Sequence, residues 1–109
     1  MTLPCHITVH AQPHAGYGIE IGRFRLKSGV SEEEMHAAYR RMVQQHLSEQ
    51  PGWRGQYLVK LDDGVFVDIA HAESYPQSQA ICATWHGQAQ CESFLKLIEP
   101  ESMQFGSLI

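Results

Sequence analysis

The first seventeen residues contain no Asp, Glu, Lys or Arg, and basic residues are scarce throughout: Lys and Arg total 8 against 12 acidic residues, a net charge of −4. The basic patch that phosphate binding requires is missing, so nucleic acid is not an expected partner. Cysteine is also thin. Cys5, Cys82 and Cys91 form no Cys-x-x-Cys pair, so neither a disulfide framework nor a zinc ribbon is expected and a reducing cytoplasm is the expected setting. No apolar run approaches the roughly 20 residues that span a bilayer. No Lys or Arg precedes an apolar core at the N-terminus, so neither a secretory leader nor a membrane partner is expected. A chain of 109 residues fits one soluble domain with little surface burial to spare.

What is present is strong patterning. Leu3, Cys5, Ile7, Val9 and Ala11 alternate with His6, Thr8, His10 and Gln12, which predicts a half-buried strand over 3–11, ended by Pro13 and Gly16. Residues 18–27 carry apolar side chains on both faces and read as a core strand covered on both sides. Ser28-Gly29 is a turn. Ser31 with Glu34 predicts a capped helix start, and Met35, Ala38, Tyr39, Met42, Val43, His46 and Leu47 form its apolar stripe up to Pro51-Gly52. Residues 54–61 and 65–72 read as a hairpin, with Asp63-Gly64 supplying positive φ angles. Ser74 and Gln77 open a second helix with a buried stripe of Ser78, Ile81, Cys82 and Trp85. Gly87 breaks it, a second piece runs over 89–98 to Glu99-Pro100, and a last strand covers 102–109. The expected class is α+β, β-α-β-β-α-β with an extra strand in front: an extension over 1–17 and a domain over 18–109.

Two segments resemble a known family. One is the helix that follows Ser28-Gly29 and ends in Pro51-Gly52-Trp53. The other is Val65-Phe66-Val67-Asp68-Ile69, leading through Glu73-Ser74 into an Ala-containing helix. Together, over about residues 18–109, they resemble the antibiotic-biosynthesis-monooxygenase-like group of the dimeric α+β barrel superfamily. The resemblance implies two ferredoxin-like subunits whose antiparallel sheets close into a shared barrel, with a ligand cavity in each. Activities in the superfamily include cofactor-free oxidation of phenolic polyketides, haem degradation and lactone isomerisation. The haem branch uses an Asn, a Trp and a His at places that align with Gly22, Ala72 and Cys82. All three differ, so haem degradation, and with it a haem cofactor, is not expected.

The strand residues expected to face the helices are Glu20, Gly22, Phe24 and Leu26 on the first core strand, and Phe66, Asp68, Ala70 and Ala72 on the third. Gly22, Ala70 and Ala72 are small and leave room for a ligand, unless Trp85 or Tyr39 fills it. Asp68 lies in an apolar strand, where burial raises a carboxyl pKa and suits acid-base work. Its structural alternative is a bond to a backbone amide or to Arg23, Arg25 or the hairpin. Glu20 is a second carboxylate of the same kind. His46 is a packing residue or a cavity base, and His86 is expected at a pocket mouth. His71 is expected to point into the barrel between subunits. His6, His10 and His14 do not make a metal site, because strand residues four apart are separated by about 13 Å. Cys82 and Cys91 read as small core residues.

These features lead to an expected homodimer that binds a small hydrophobic or aromatic ligand. The leading expectation is a cofactor-independent monooxygenase acting on an aromatic or phenolic substrate. Its candidate catalytic residues are His46, His86 and Asp68, and its candidate binding residues are Gly22, Tyr39, Ala70, Ala72 and Trp85. A ligand-binding or structural dimer without turnover, and an isomerase using the same cavity, are the alternatives.

Overall fold

A computed structural model describes residues 14–109, together with the backbone of residues 8 and 9. The rest of the predicted first strand, including His6 and His10, lies outside the described residues. Thr8–Val9 (β1) pairs antiparallel with Trp53–Lys60 (β3), Thr8 opposite Gln56. The remaining strands are Gly18–Leu26 (β2), Phe66–Ala72 (β4) and Ile98–Ser107 (β5). The sheet is antiparallel in the order β1-β3-β4-β2-β5, the ferredoxin-like arrangement with one strand added at the β3 edge. None of the described helices is long and apolar enough to cross a membrane.

Glu32–Gln45 (α1) begins where Ser31 accepts a bond from the Glu34 amide and three acidic residues occupy the positive end of the helix. Its stripe of Met35, Ala38, Tyr39, Met42 and Val43 is buried. The helix ends at His46, and a 3-10 turn over Leu47–Glu49 carries the chain to Gly52, whose φ of 87° turns it into β3. Phe24, Phe66, Phe94 and Tyr39 stack edge and face around this stripe, with ring centroids 5.5 to 5.6 Å apart. Burial of each such side chain contributes roughly 1.5–3 kcal/mol.

Three expectations about elements are corrected. In the β3–β4 connection Gly64 alone takes a positive φ, and the Leu61 and Val65 backbones bond across it; the turn is longer than a two-residue one. Tyr75–Ala83 (α2), capped by Ser74, stops before Trp85, and its stripe is not core: Ser78 is buried, whereas Ile81, Cys82 and Trp85 are half-buried. After Gly87, with φ 74°, Ala89–Leu95 (α3) ends before Leu97. Glu99 and Pro100 therefore do not end a helix but belong to β5. That strand is the sheet edge in the described structure, where a missing proline N–H can be tolerated.

Candidate functional site

Strand alternation sends Glu20, Gly22 and Phe24 of β2 and Phe66, Asp68 and Ala70 of β4 to the helix side. The register pairs Glu20 with Ala70, Gly22 with Asp68 and Phe24 with Phe66. Gly22 offers no side chain, and Trp85 and His86, from the connection between α2 and α3, line the same space. The result is a cavity of about 210 Å³ whose wall includes Gly22, Asp68, Cys82, Trp85, Phe94 and Met103. Glu20, Phe24, Leu95 and Ile98 also line it, and His86 contributes from an exposed position. The lining is largely apolar and aromatic, with two buried carboxylates and, from an exposed position, Arg23.

Asp68 is held by neutral donors. Tyr39 Oη donates to Oδ1 at 2.7 Å, and Gln56 Nε2 lies 3.0 Å from both Oδ1 and Oδ2. Gln56 is 1% exposed, and its own Oε1 accepts from Trp53 Nε1 at 3.1 Å. Burial pushes the Asp68 carboxyl up to about 7; the Tyr39 and Gln56 bonds hold it down, while the Glu20 charge lifts it. Burial raises Glu20 as well, opposed by a hydrogen bond with Cys82. Tyr39, buried beside Asp68, is pushed far above the usual phenol range. A carboxyl at about 7 on a cavity wall can take up or release a proton near neutrality.

No protein-family model matches the sequence, and no curated protein matches it. Solved structures do match. SnoaB, a cofactor-independent oxygenase from Streptomyces nogalater, is 17% identical with a TM-score of 0.69, over 84% of this chain and 92% of that one. A protein of Lactobacillus acidophilus NCFM assigned as a monooxygenase is 15% identical with a TM-score of 0.67, over 94% of this chain and 48% of that one. A protein of Nitrosomonas europaea assigned as an antibiotic biosynthesis monooxygenase is 13% identical with a TM-score of 0.56, over 89% and 92%. The chain has the fold of these antibiotic-biosynthesis-monooxygenase-like structures.

Within this fold the candidate residues separate. Gly22, Asp68, Trp85 and His86 come together at the cavity. Ala70 and Ala72 do not join them; they line a neighbouring void of about 10 Å³ with Trp85 and Ile81, room for about one water. Tyr39 touches Asp68 from behind. His46 is outside the cavity: its Nε2 lies 2.8 Å from Thr84 Oγ1 and its Nδ1 3.4 Å from Gln50 Nε2, joining the end of α1 to the end of α2. The position of His46 on the α1 stripe hid this, because the helix ends at that residue and its ring turns to a neighbouring helix end. His71 lies on the opposite sheet face, its Nε2 3.4 Å from Tyr57 Oη and its buried Nδ1 without a partner among the described residues. Cys91 is core, but Cys82 reaches the cavity wall, its thiol pushed up to about 12 by burial and by Glu20.

The Gln56 link is the part that sequence reasoning missed. The available signal was a lone amide in β3 two residues before Leu58, on the strand face that β4 pairing turns toward the helices.

Proposed function

We propose that this chain is a small-molecule-binding barrel protein that oxidises an aromatic or phenolic substrate with molecular oxygen and without a bound cofactor. Asp68 is the base. The observation that carries this reading is a fully buried carboxyl poised at about 7 on the wall of a largely apolar cavity. At about 210 Å³ the cavity is below the usual ligand-pocket range of about 300–1,000 Å³, which suits one or two fused rings. The fold shared with SnoaB, described as a cofactor-independent oxygenase, points the same way.

In this reading Asp68 accepts the phenolic proton. The delocalised anion passes one electron to oxygen, and recombination of the two radicals forms a carbon–oxygen bond. Asp68 returns the phenolic proton to the peroxide, giving a hydroperoxide. Asp68 then takes the proton from the carbon that bears the peroxide; the C–H electrons form the carbonyl, the O–O bond breaks, and the departing hydroxide takes that proton from Asp68 as water. One substrate and one oxygen molecule yield one quinone and one water. His86 lies at the rim. The aromatic wall of Phe24, Trp85 and Phe94 holds the ring flat.

Oxygen uptake with a panel of naphthalenediols tests the proposal. Uptake mole for mole with quinone, lost in D68N, is the expected result; no uptake above the uncatalysed rate across the panel overturns it. The Glu20–Asp68 pair also suits an isomerase, which would exchange substrate hydrogen for deuterium without consuming oxygen. Tight binding with neither outcome would make the protein a ligand carrier.

The working unit is a homodimer in this reading. On the sheet face away from the helices, Ile19, Ile21, Tyr57 and Ile69 lie in register and are only half-buried. A second copy of the same face would cover them.

A further inference from the structure

Trp53 and Gln56 stand three residues apart on β3, where strict alternation would put them on opposite faces of the sheet. They nevertheless meet. A register shift between Trp53 and Gly55 sets an extra residue against β4, so that Trp53 lies opposite Ala72 and Gln56 opposite Ala70, both on the helix side. Gly55 carries the irregularity with a φ of 143°, a conformation that favours glycine. Both side chains are buried, and neither lines the cavity of about 210 Å³. The bond between them decides which way the Gln56 amide points. An indole nitrogen can only donate, so Trp53 Nε1, at 3.1 Å, must meet Oε1. The amide nitrogen is left to Asp68 and lies 3.0 Å from both carboxylate oxygens. In that orientation the amide stabilises the anion. Turned over, it would set Oε1 against the carboxyl and favour the protonated form. The titratable groups around Asp68 are Tyr39 from α1, Glu20 from β2 and Cys82 from α2, and Arg23 and His86 also line the cavity. Trp53 and Gln56 carry no charge at any accessible pH, so they bias Asp68 without titrating.

We propose that the β3 bulge, Trp53 and Gln56 form a relay that holds Asp68 ready to act as a base: the bulge aims the indole, the indole locks the amide, and the amide presents N–H to the carboxylate. Trp53 and Gln56 are positioning residues, since they act through Asp68 and do not line the cavity. The inference rests on the reading of Asp68 as the base, but its test does not depend on turnover.

Site-specific incorporation of 3-benzothienylalanine at position 53 tests this on the full chain. The analogue keeps the shape of tryptophan and replaces the indole N–H with sulfur, so the packing stays and the donor goes. A carboxyl-carbon NMR titration should show the Asp68 midpoint moving upward by about one pH unit, the scale of one hydrogen bond to a charged group. Q56L should raise the midpoint as well, and the analogue should add nothing in the Q56L background, because Trp53 acts only through the amide. If Q56L does not fold, the analogue alone decides. A midpoint that the analogue leaves unmoved or moves downward, or moves as far in Q56L as in wild type, overturns the proposal. A raised midpoint in a protein that consumes no oxygen leaves the relay standing and removes the oxygenase reading. Oxygen uptake with an unmoved midpoint does the reverse.

Discussion

The hydroxyl of Tyr39 donates a 2.7 Å hydrogen bond to Oδ1 of Asp68, tying the buried face of α1 to the middle of the sheet. That bond favours the Asp68 anion. Y39F should therefore raise the Asp68 titration midpoint above about 7. A carboxyl-carbon NMR titration reads it directly. Loss of a buried bond to a charged group should also cost roughly 1.5–3 kcal/mol where Asp68 is ionised, measured by urea unfolding.

Asp68 makes stability depend on pH with a definite sign. Its folded value, about 7, lies above the ordinary 3.8. Between those values the folded chain keeps a proton that the unfolded chain has released, so stability falls as pH rises through that window. Below 3.8 both states hold the proton and the group contributes no slope. The slope is at most about 1.4 kcal/mol per pH unit. Subtracting D68N from wild type at each pH isolates it. D68N should look worst at acid pH and recover toward pH 8, and a pH-independent difference would contradict the assignment.

Gly18 and Gly22 lie on one strand and should respond in opposite ways. A Cβ on Gly18 would sit 2.3 Å from the Ser74 carbonyl oxygen, which α2 holds in place. A Cβ on Gly22 would meet nothing closer than Met103 Sδ at 3.9 Å. Gly18→Ala should destabilise by about 1–3 kcal/mol, as overpacking does. Gly22→Ala should fall within about 0.5 kcal/mol of wild type. Gly22→Phe, aimed into the cavity, should keep the fold by circular dichroism and abolish 1-naphthol binding.

The proposed dimer can be broken on the open sheet face. Ile69→Asp places a charge opposite Ile21 and Tyr57, on the far side of β4 from Asp68. Sedimentation velocity should show wild type as a dimer at micromolar concentration and the variant as a monomer. A wild-type monomer would remove the shared-barrel reading.

Local chemistry announced much of the fold. Ser31 and Ser74 do cap their helices, and Gly52, Gly64 and Gly87 do take the positive φ that ends one element and starts the next. The isolated Asp68 in an apolar strand was visible as a carboxyl with something to explain. Less legible were the cavity and its partners. Ile81, Cys82 and Trp85 have the spacing of a buried stripe, yet they are half-buried beside a void, because apolar periodicity does not distinguish a face packed on side chains from one lining a cavity. Pro100 looked like a helix stop because edge position, which excuses a proline in β5, is a property of the sheet.

By itself the sequence determined the order of strands and helices, the faces they bury and the presence of a carboxyl that water would not reach. These follow from short-range backbone preferences and from the period at which apolar residues recur. Tertiary structure alone decided that Trp53, Gln56 and Tyr39 converge on Asp68, that His46 turns to Thr84 rather than to the cavity, and that Glu20 lies close enough to raise the Asp68 pKa. Apart from the Trp53–Gln56 bond within β3, each is a contact between different segments of the chain, set by strand register and helix docking. Hydrogen bonds and charge–charge energies at such contacts depend on distances of a few ångströms, which no spacing along the sequence encodes.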